Sequence, residues 1–315
     1  MAHSNTLRKI LTETDAVVVL DGGLATELER KGCDISSKLW SAEVLINKPT
    51  LIQDVHLSYY NAGADVAITA SYQASALGLL EHDPSMTQAK ALELIQDSVN
   101  LANNARIAAK DGGVSRDLYI AGSVGPYGAY LADGSEYRGD YSLGDQAMAD
   151  FHRPRISALV AAGVDVLAFE TIPSYEEAAV LLQLLKMHAD TCAWFSFTLK
   201  NEDHISDGTP LHKVVDLIGN SEQVVAIGVN CVPEHLVVGA LRTLRSLTSK
   251  ALVAYPNSGE VYDATTKTWG GQHSQGADLK DKAQNWYKLG ARLVGGCCRT
   301  TPDSIYTINE ALRLK

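Results

Sequence analysis

Hydrophobic positions along the chain fall into short, nearly continuous runs separated by longer amphipathic stretches. The extended runs are AVVVLDGG (16–23), DVAITAS (65–71), LYIAGSVG (118–125), DVLAFETI (165–172), CAWFSFTL (192–199), VVAIGVNC (224–231), ALVAYPNS (251–258) and ARLVGGCC (291–298). Runs of this length, rich in Val, Ile and aromatics, fit parallel strands buried on both faces. Between them lie amphipathic stretches such as PTLIQDVHLSYYNAG and TQAKALELIQDSVNLANNARIAAKDGG. Three strands follow a glycine placed to end a helix, in NAGADVAI, AAGVDVLAF and KLGARLVGG, because glycine takes the left-handed C′ position before a short turn. Eight strand–helix units predict an α/β chain folded as one (β/α)8 TIM barrel over 1–315. An open doubly wound sheet is the competing arrangement, but eight is the number that closes.

Composition narrows the function classes. With 46% hydrophobic and 20% charged residues the 315-residue chain has the material for a large core, which excludes a disordered chain. The balance of 27 basic against 37 acidic side chains, a net charge of −10, argues against nucleic acid as partner. No apolar run approaches the roughly 20 residues of a membrane helix. The N-terminus offers only a five-residue apolar run before Asp21, so a secretory signal is not expected and a cytoplasmic location is. Five widely spread cysteines, an odd number, read as reduced thiols rather than a disulfide framework.

Barrel active sites lie at the C-terminal face, so the residues closing each strand carry the candidate chemistry. They are Asp21, Thr69 with Ser71, Ser123, Glu170, Asn230 with Cys231, Asn257, and Cys297 with Cys298. A single Ser or Thr there can be a helix N-cap; carboxylates and thiols at the same face point to chemistry. Cys231 closes the sixth strand and the Cys297–Cys298 pair the eighth, so on a closed barrel they flank the seventh near one rim. Three thiolates with one open position fit a catalytic zinc site. Packing as small hydrophobes, or a vicinal Cys297–Cys298 disulfide, are the alternatives. Cys33 and Cys192 read as ordinary. Gly22, Gly23, Gly295 and Gly296 beside these positions allow strained turns or a close ligand approach, without the G-x-G-x-x-G spacing of a dinucleotide site. Two long loops, 125–141 and 256–276, carry Tyr127, Tyr130, Tyr137, Tyr141, Tyr262 and Trp269 and are expected to cover the barrel mouth.

The motifs DGGLATELERKGCD, ITASYQAS, AFETIP, GVNC and VGGCCRTTP span nearly the whole chain. In them the chain resembles the homocysteine S-methyltransferases, zinc barrels that move a methyl group onto homocysteine to make methionine. The stretch GSVGPYGAYLADGSEYRGDY, with LWSAEVL, FHRPR, WFSFTL, SDGTPL and YPNSG, is similar to the branch that uses S-methylmethionine. The resemblance implies one zinc ion held by Cys231, Cys297 and Cys298. Asp21 and Glu170 would grip the homocysteine amino group, while Thr69 and the backbone around Gly22 hold the amino-acid ends. Trp40 would line the methyl-donor side. Asn230 would join the substrate contacts and occupy the fourth zinc position when substrate is absent.

No side chain is expected to act as acid or base, because no proton must move in the transition state. Betaine-using relatives place an aromatic directly after the fourth-strand glutamate, whereas Thr171 follows Glu170 here. They also extend in an oligomerising tail past the barrel, while this chain stops one helix after GGCC, and it carries no cobalamin or folate module. The expected donor is therefore S-methylmethionine, with S-adenosylmethionine as a second sulfonium. A zinc barrel using betaine, a non-catalytic metal- or thiol-sensing protein and a zinc hydrolase are the rival readings.

Overall fold

The computed structural model describes residues 2–35, 41–263, 268–270 and 274–313. The eight predicted strands all form: β1 (Val18–Val19), β2 (Val66–Ile68), β3 (Tyr119–Val124), β4 (Val166–Ile172), β5 (Ala193–Phe197), β6 (Val224–Asn230), β7 (Ala251–Tyr255) and β8 (Ala291–Val294). All neighbouring pairs within this sheet are parallel, and its order is β1-β8-β7-β6-β5-β4-β3-β2. A parallel bridge between Leu20 and Val66 joins the first strand to the second. Asp21 N–H to Val66 O (3.1 Å) and Asp65 N–H to Val19 O (2.7 Å) complete the closure. The sheet is thus a closed (β/α)8 barrel, not an open one.

Strand alternation divides the apolar residues into two layers. Tyr119 and Ala121 of β3, Val166 and Ala168 of β4, and Val253 and Tyr255 of β7 face the barrel interior with Leu20, Trp194 and Leu293. The intervening Ile120, Leu167, Phe169 and Leu252 pack outward against the helices, as the period of two requires. Leu7 and Leu11 of the N-terminal helix Ala2–Glu13 join the interior layer. Acids at the strand starts tie neighbours together: Asp65 Oδ2 accepts from Val19 N–H (2.8 Å), and Asp165 Oδ2 accepts from Ile120 N–H (2.8 Å) and Arg106 (3.0 Å). The three predicted helix-ending glycines, Gly63, Gly163 and Gly290, all have φ near +100°, at 115°, 86° and 104°.

The long loops are more ordered than bare connectors. Residues 125–141 form a short helix, Tyr127–Leu131, and a 3-10 turn, Ser135–Tyr137. Tyr127 packs against Phe151 (5.1 Å between ring centres), Tyr130 (5.3 Å) and Tyr141 (5.6 Å). Beneath them the fully buried Glu177 accepts from Tyr127 N–H (2.6 Å) and Tyr141 OH and meets His152 Nε2 at 2.7 Å. Three of the loop tyrosines therefore anchor the loop to the barrel wall instead of facing a ligand. In 256–276, Val261–Asp263 pairs antiparallel with Thr268–Gly270; residues 264–267 and 271–273 lie outside the described residues.

Gly228 sits where β6 and β7 pack most tightly, since a Cβ there would lie 1.8 Å from Val253 O. Gly228→Ala is expected to destabilise the chain by about 3 kcal/mol or more, above the common overpacking range because backbone must move. Denaturant unfolding would read this as a lowered midpoint, and a midpoint within error of the parent would contradict it.

Candidate active site

At the C-terminal face the strand ends enclose a cavity of about 110 Å3. Asp21, Gly22, Thr69, Glu170 and Asn230 line it, as do Cys231, Cys297 and Cys298. Eight of the nine residues singled out in the sequence thus meet in one pocket; the ninth, Trp40, lies outside the described residues. Of the other polar strand ends, Ser123 lines the cavity. Ser71 supports it from behind, with Oγ 2.7 Å from Thr69 Oγ1 and donating to Ser123 O (2.7 Å). Asn257 is buried elsewhere. Among the loop aromatics with described side chains only Tyr137 reaches the lining, where Tyr72 and Tyr255 join it. Tyr255 was findable from alternation, two places beyond inward-facing Val253; Tyr72 follows its strand end in irregular chain, where no period aims a side chain.

Two carboxylates share the pocket floor. Glu170 accepts from Ser123 Oγ through Oε1 and from Tyr255 OH (3.0 Å) through Oε2. Asp21 Oδ2 accepts from Ile68 N–H (2.8 Å). Burial pushes the Glu170 carboxyl up to about 7. Asp21 is raised well above its ordinary value, first by burial and then by the charge of Glu170. Among the described residues neither makes an ion pair, so the pair is poised for a cation that arrives with the ligand.

Backbone strain marks the same rim. Thr171, directly after Glu170, has φ +62°, and Cys231 has φ +49°, left-handed conformations that non-glycine residues adopt only when their surroundings enforce them. Asn230 provides that enforcement: its Oδ1 accepts from Thr171 N–H (2.7 Å) and its Nδ2 donates to Thr171 Oγ1 (2.8 Å). The amide therefore fixes the ends of β4 and β6 across β5.

The three cysteine sulfurs all lie within 4.8 Å of one another, with Cys231 and Cys298 Sγ 3.9 Å apart. Cys231 and Cys297 are joined by a disulfide, Cα to Cα 5.4 Å, and Cys298 is free. This corrects the expectation of reduced thiols in which only Cys297 and Cys298 might bridge. Facing strand ends bring Cβ atoms from opposite sides into bonding range, whereas adjacent residues point their side chains apart. Burial pushes the Cys298 thiol up to about 12, so it stays protonated until a cation meets it. Cys33 and Cys192 are both buried away from the cavity, in keeping with their reading as ordinary.

A family model described as homocysteine S-methyltransferase matches residues 18–312. The homocysteine S-methyltransferase of Escherichia coli strain K12 is 51% identical over 306 residues, covering 97% of this chain and 98% of its own. The crystal structure of the homocysteine methyltransferase MmuM from Escherichia coli in its oxidized form superposes with TM-score 0.87 at 48% identity, covering 96% of this chain and 98% of that one. Its metallated form gives TM-score 0.85 at the same identity and coverage. With these matches spanning almost the whole barrel, including the rim where carboxylates and cysteines converge, the chain belongs to the homocysteine S-methyltransferase family.

Proposed function

We propose that the chain transfers a methyl group from S-methylmethionine, with S-adenosylmethionine as a second donor, to the zinc-held thiolate of L-homocysteine, giving methionine. The observation that carries this reading is the convergence of three sulfurs with two buried, unpaired carboxylates in one cavity. Zinc fits the donor set. The three sulfurs lie within 4.8 Å of one another, and soft sulfur ligands favour zinc over magnesium or calcium. Cys231, Cys297 and Cys298 would hold the ion once the disulfide is reduced. When bound, it supplies an open position at which a thiol loses its proton and becomes nucleophilic.

The chain's own groups orient the reactants. Asp21 and Glu170 receive the homocysteine ammonium, which relieves the cost of burying their charge. Thr69, whose Oγ1 accepts from Ser123 N–H (2.9 Å), and the backbone at Gly22 hold the amino-acid end. The homocysteine sulfur forms the new S–CH3 bond while the donor's S–CH3 bond breaks, its electron pair returning to the donor sulfur and leaving a second methionine. Opposite charges are cancelled in this step, so an enclosed site assists it. Thr171 in the place where betaine-using relatives carry an aromatic supports a sulfonium donor, and Tyr72, Tyr137 and, by resemblance, Trp40 supply aromatic faces for that cation. Thiols that must stay reduced suit the cytoplasm, and among the described residues no helix is long and apolar enough to cross a membrane.

Reduced, zinc-loaded protein is expected to form methionine from homocysteine with S-methylmethionine and not with betaine. Cys298→Ala is expected to lose both zinc and turnover with its circular dichroism unchanged. Product from betaine alone, or full turnover by a zinc-bearing Cys298→Ala protein, would overturn the reading. Glu170→Ala is expected to raise KM for homocysteine by about ten- to a hundredfold, the range for one charge-assisted hydrogen bond, and an unchanged KM would remove Glu170 from the substrate.

The raised carboxyl of Glu170 also has a folding consequence. Its protonated form is the better buried one, so its contribution to substrate-free stability is full below about pH 4.5 and is lost as pH rises through about 7. Glu170→Gln cannot titrate and is expected to gain stability relative to the parent between pH 5 and pH 8. Parallel denaturation midpoints for the two proteins over that window would contradict the assignment.

A further inference from the structure

One acidic side chain in the cavity is used by neither the metal site nor the homocysteine contacts. Glu136 lies on the 3-10 turn Ser135–Tyr137 and lines the cavity beside Tyr137. Among the described residues its Oε2 is buried without a hydrogen-bond partner, an arrangement that costs free energy unless a ligand supplies the donor. Two arginines beside this loop make their hydrogen bonds elsewhere. Arg138 binds Asp140 (2.9 Å), Asp133 O (3.0 Å) and Ser135 Oγ (3.1 Å). Arg155 donates to Tyr72 O (2.6 Å) and Gly125 O (2.6 Å). Burial raises the Glu136 carboxyl to about 7, the nearby Arg138 charge offsetting only part of that cost.

The turn that carries Glu136 is firmly placed. Thr198 Oγ1, just past β5, donates to Glu136 O (3.0 Å) and accepts from Ser206 Oγ (2.8 Å). On the other side the loop packs so closely that a Cβ on Gly128 would lie 2.6 Å from Glu136 N. The carboxylate is therefore held on the loop side of the cavity, apart from the Asp21–Glu170 pair at the strand ends. An orphaned acceptor requires an N–H or O–H donor. A sulfonium centre has neither, but an amino-acid sulfonium carries an α-ammonium with three N–H groups.

We infer that Glu136 receives the α-ammonium of the methyl donor and so selects donors that are amino acids. The inference rests on the sulfonium-donor reading above and adds a second ammonium site to the pocket, one per reactant. It also gives a reason for rejecting betaine, whose quaternary nitrogen has no N–H to offer.

The test compares S-methylmethionine with its desamino analogue, dimethylsulfoniobutanoate, on reduced, zinc-loaded enzyme. Glu136→Gln keeps the shape and removes the charge. It is expected to lower kcat/KM for S-methylmethionine by about ten- to a hundredfold, to leave the desamino donor's kcat/KM unchanged, and to leave KM for homocysteine and zinc content at parental values. Equal losses with both donors would mean that Glu136 acts on the sulfonium or on the loop, and a raised KM for homocysteine would place it with the other substrate; either overturns the inference. A parent enzyme inert with S-methylmethionine would overturn the donor reading and this inference with it. A parent active with that donor, whose preference survives Glu136→Gln, would overturn this inference alone.

Discussion

The close contact between the first and last strands of the barrel is the constraint on which the site depends. A Cβ on Gly23 would lie 2.6 Å from Cys297 O, and one on Gly295 would lie 2.6 Å from Leu20 Cβ. No larger residue lets these segments approach so far. Gly296 N–H donates to Asp21 O (3.1 Å), Gly23 N–H to Thr300 Oγ1 (3.0 Å), and Tyr59 OH reaches both Gly23 O (3.0 Å) and Thr300 O (3.2 Å). Closing the barrel in this way sets the carboxylate after β1 and the sulfurs after β8 on one wall. The doublets of glycine therefore serve backbone against backbone; none of the four takes a left-handed φ.

From that wall the electrostatics follow. A buried carboxylate is costly unless hydrogen bonds and a counter-charge meet it. The barrel supplies the hydrogen bonds in advance. Tyr255 OH donates to Glu170 while accepting from Trp194 Nε1 (3.1 Å), with Ser196 Oγ 2.7 Å away, so β3 through Ser123, with β5 and β7, fixes the acid of β4. The counter-charge is left for the ligand to bring. A ligand without a cation would leave both acids without a counter-charge, the basis on which such a site could discriminate.

How much of this the sequence discloses depends on whether a residue sits in a periodic element. The eight strands, their polar C-terminal residues and the helix-ending Gly63, Gly163 and Gly290 were all legible, since burial enforces alternation and a left-handed turn demands glycine. The meeting of Cys231 with Cys297 and Cys298 followed from counting strands around a closed barrel. The loop side was opaque. Nothing local distinguishes Tyr137, which faces the cavity, from Tyr127, Tyr130 and Tyr141, which pack around Phe151 and Glu177; only the tertiary position of Phe151 decides. Glu136 gave no signal in a segment that also contains Asp133 and Asp140. The tie of Asn230 to Thr171 was out of reach for a similar reason, because it spans 59 residues.

The disulfide and the proposed metal site draw on one geometry. To share an ion, three sulfurs must stand within a few ångströms while their cysteines belong to different strands, and that placement also brings two of them into covalent range. Cys231 and Cys297 cannot be in both states, since a bridged sulfur is no longer a thiolate donor. Binding of a cation needs all three sulfurs deprotonated, and burial opposes that for Cys298. A metal held by all three sulfurs would therefore exclude the Cys231–Cys297 bridge, and the bridge would exclude that metal. The hydrogen bonds that tie Asn230, next to the left-handed Cys231, to Thr171 across the ends of β6 and β4 involve no sulfur atom.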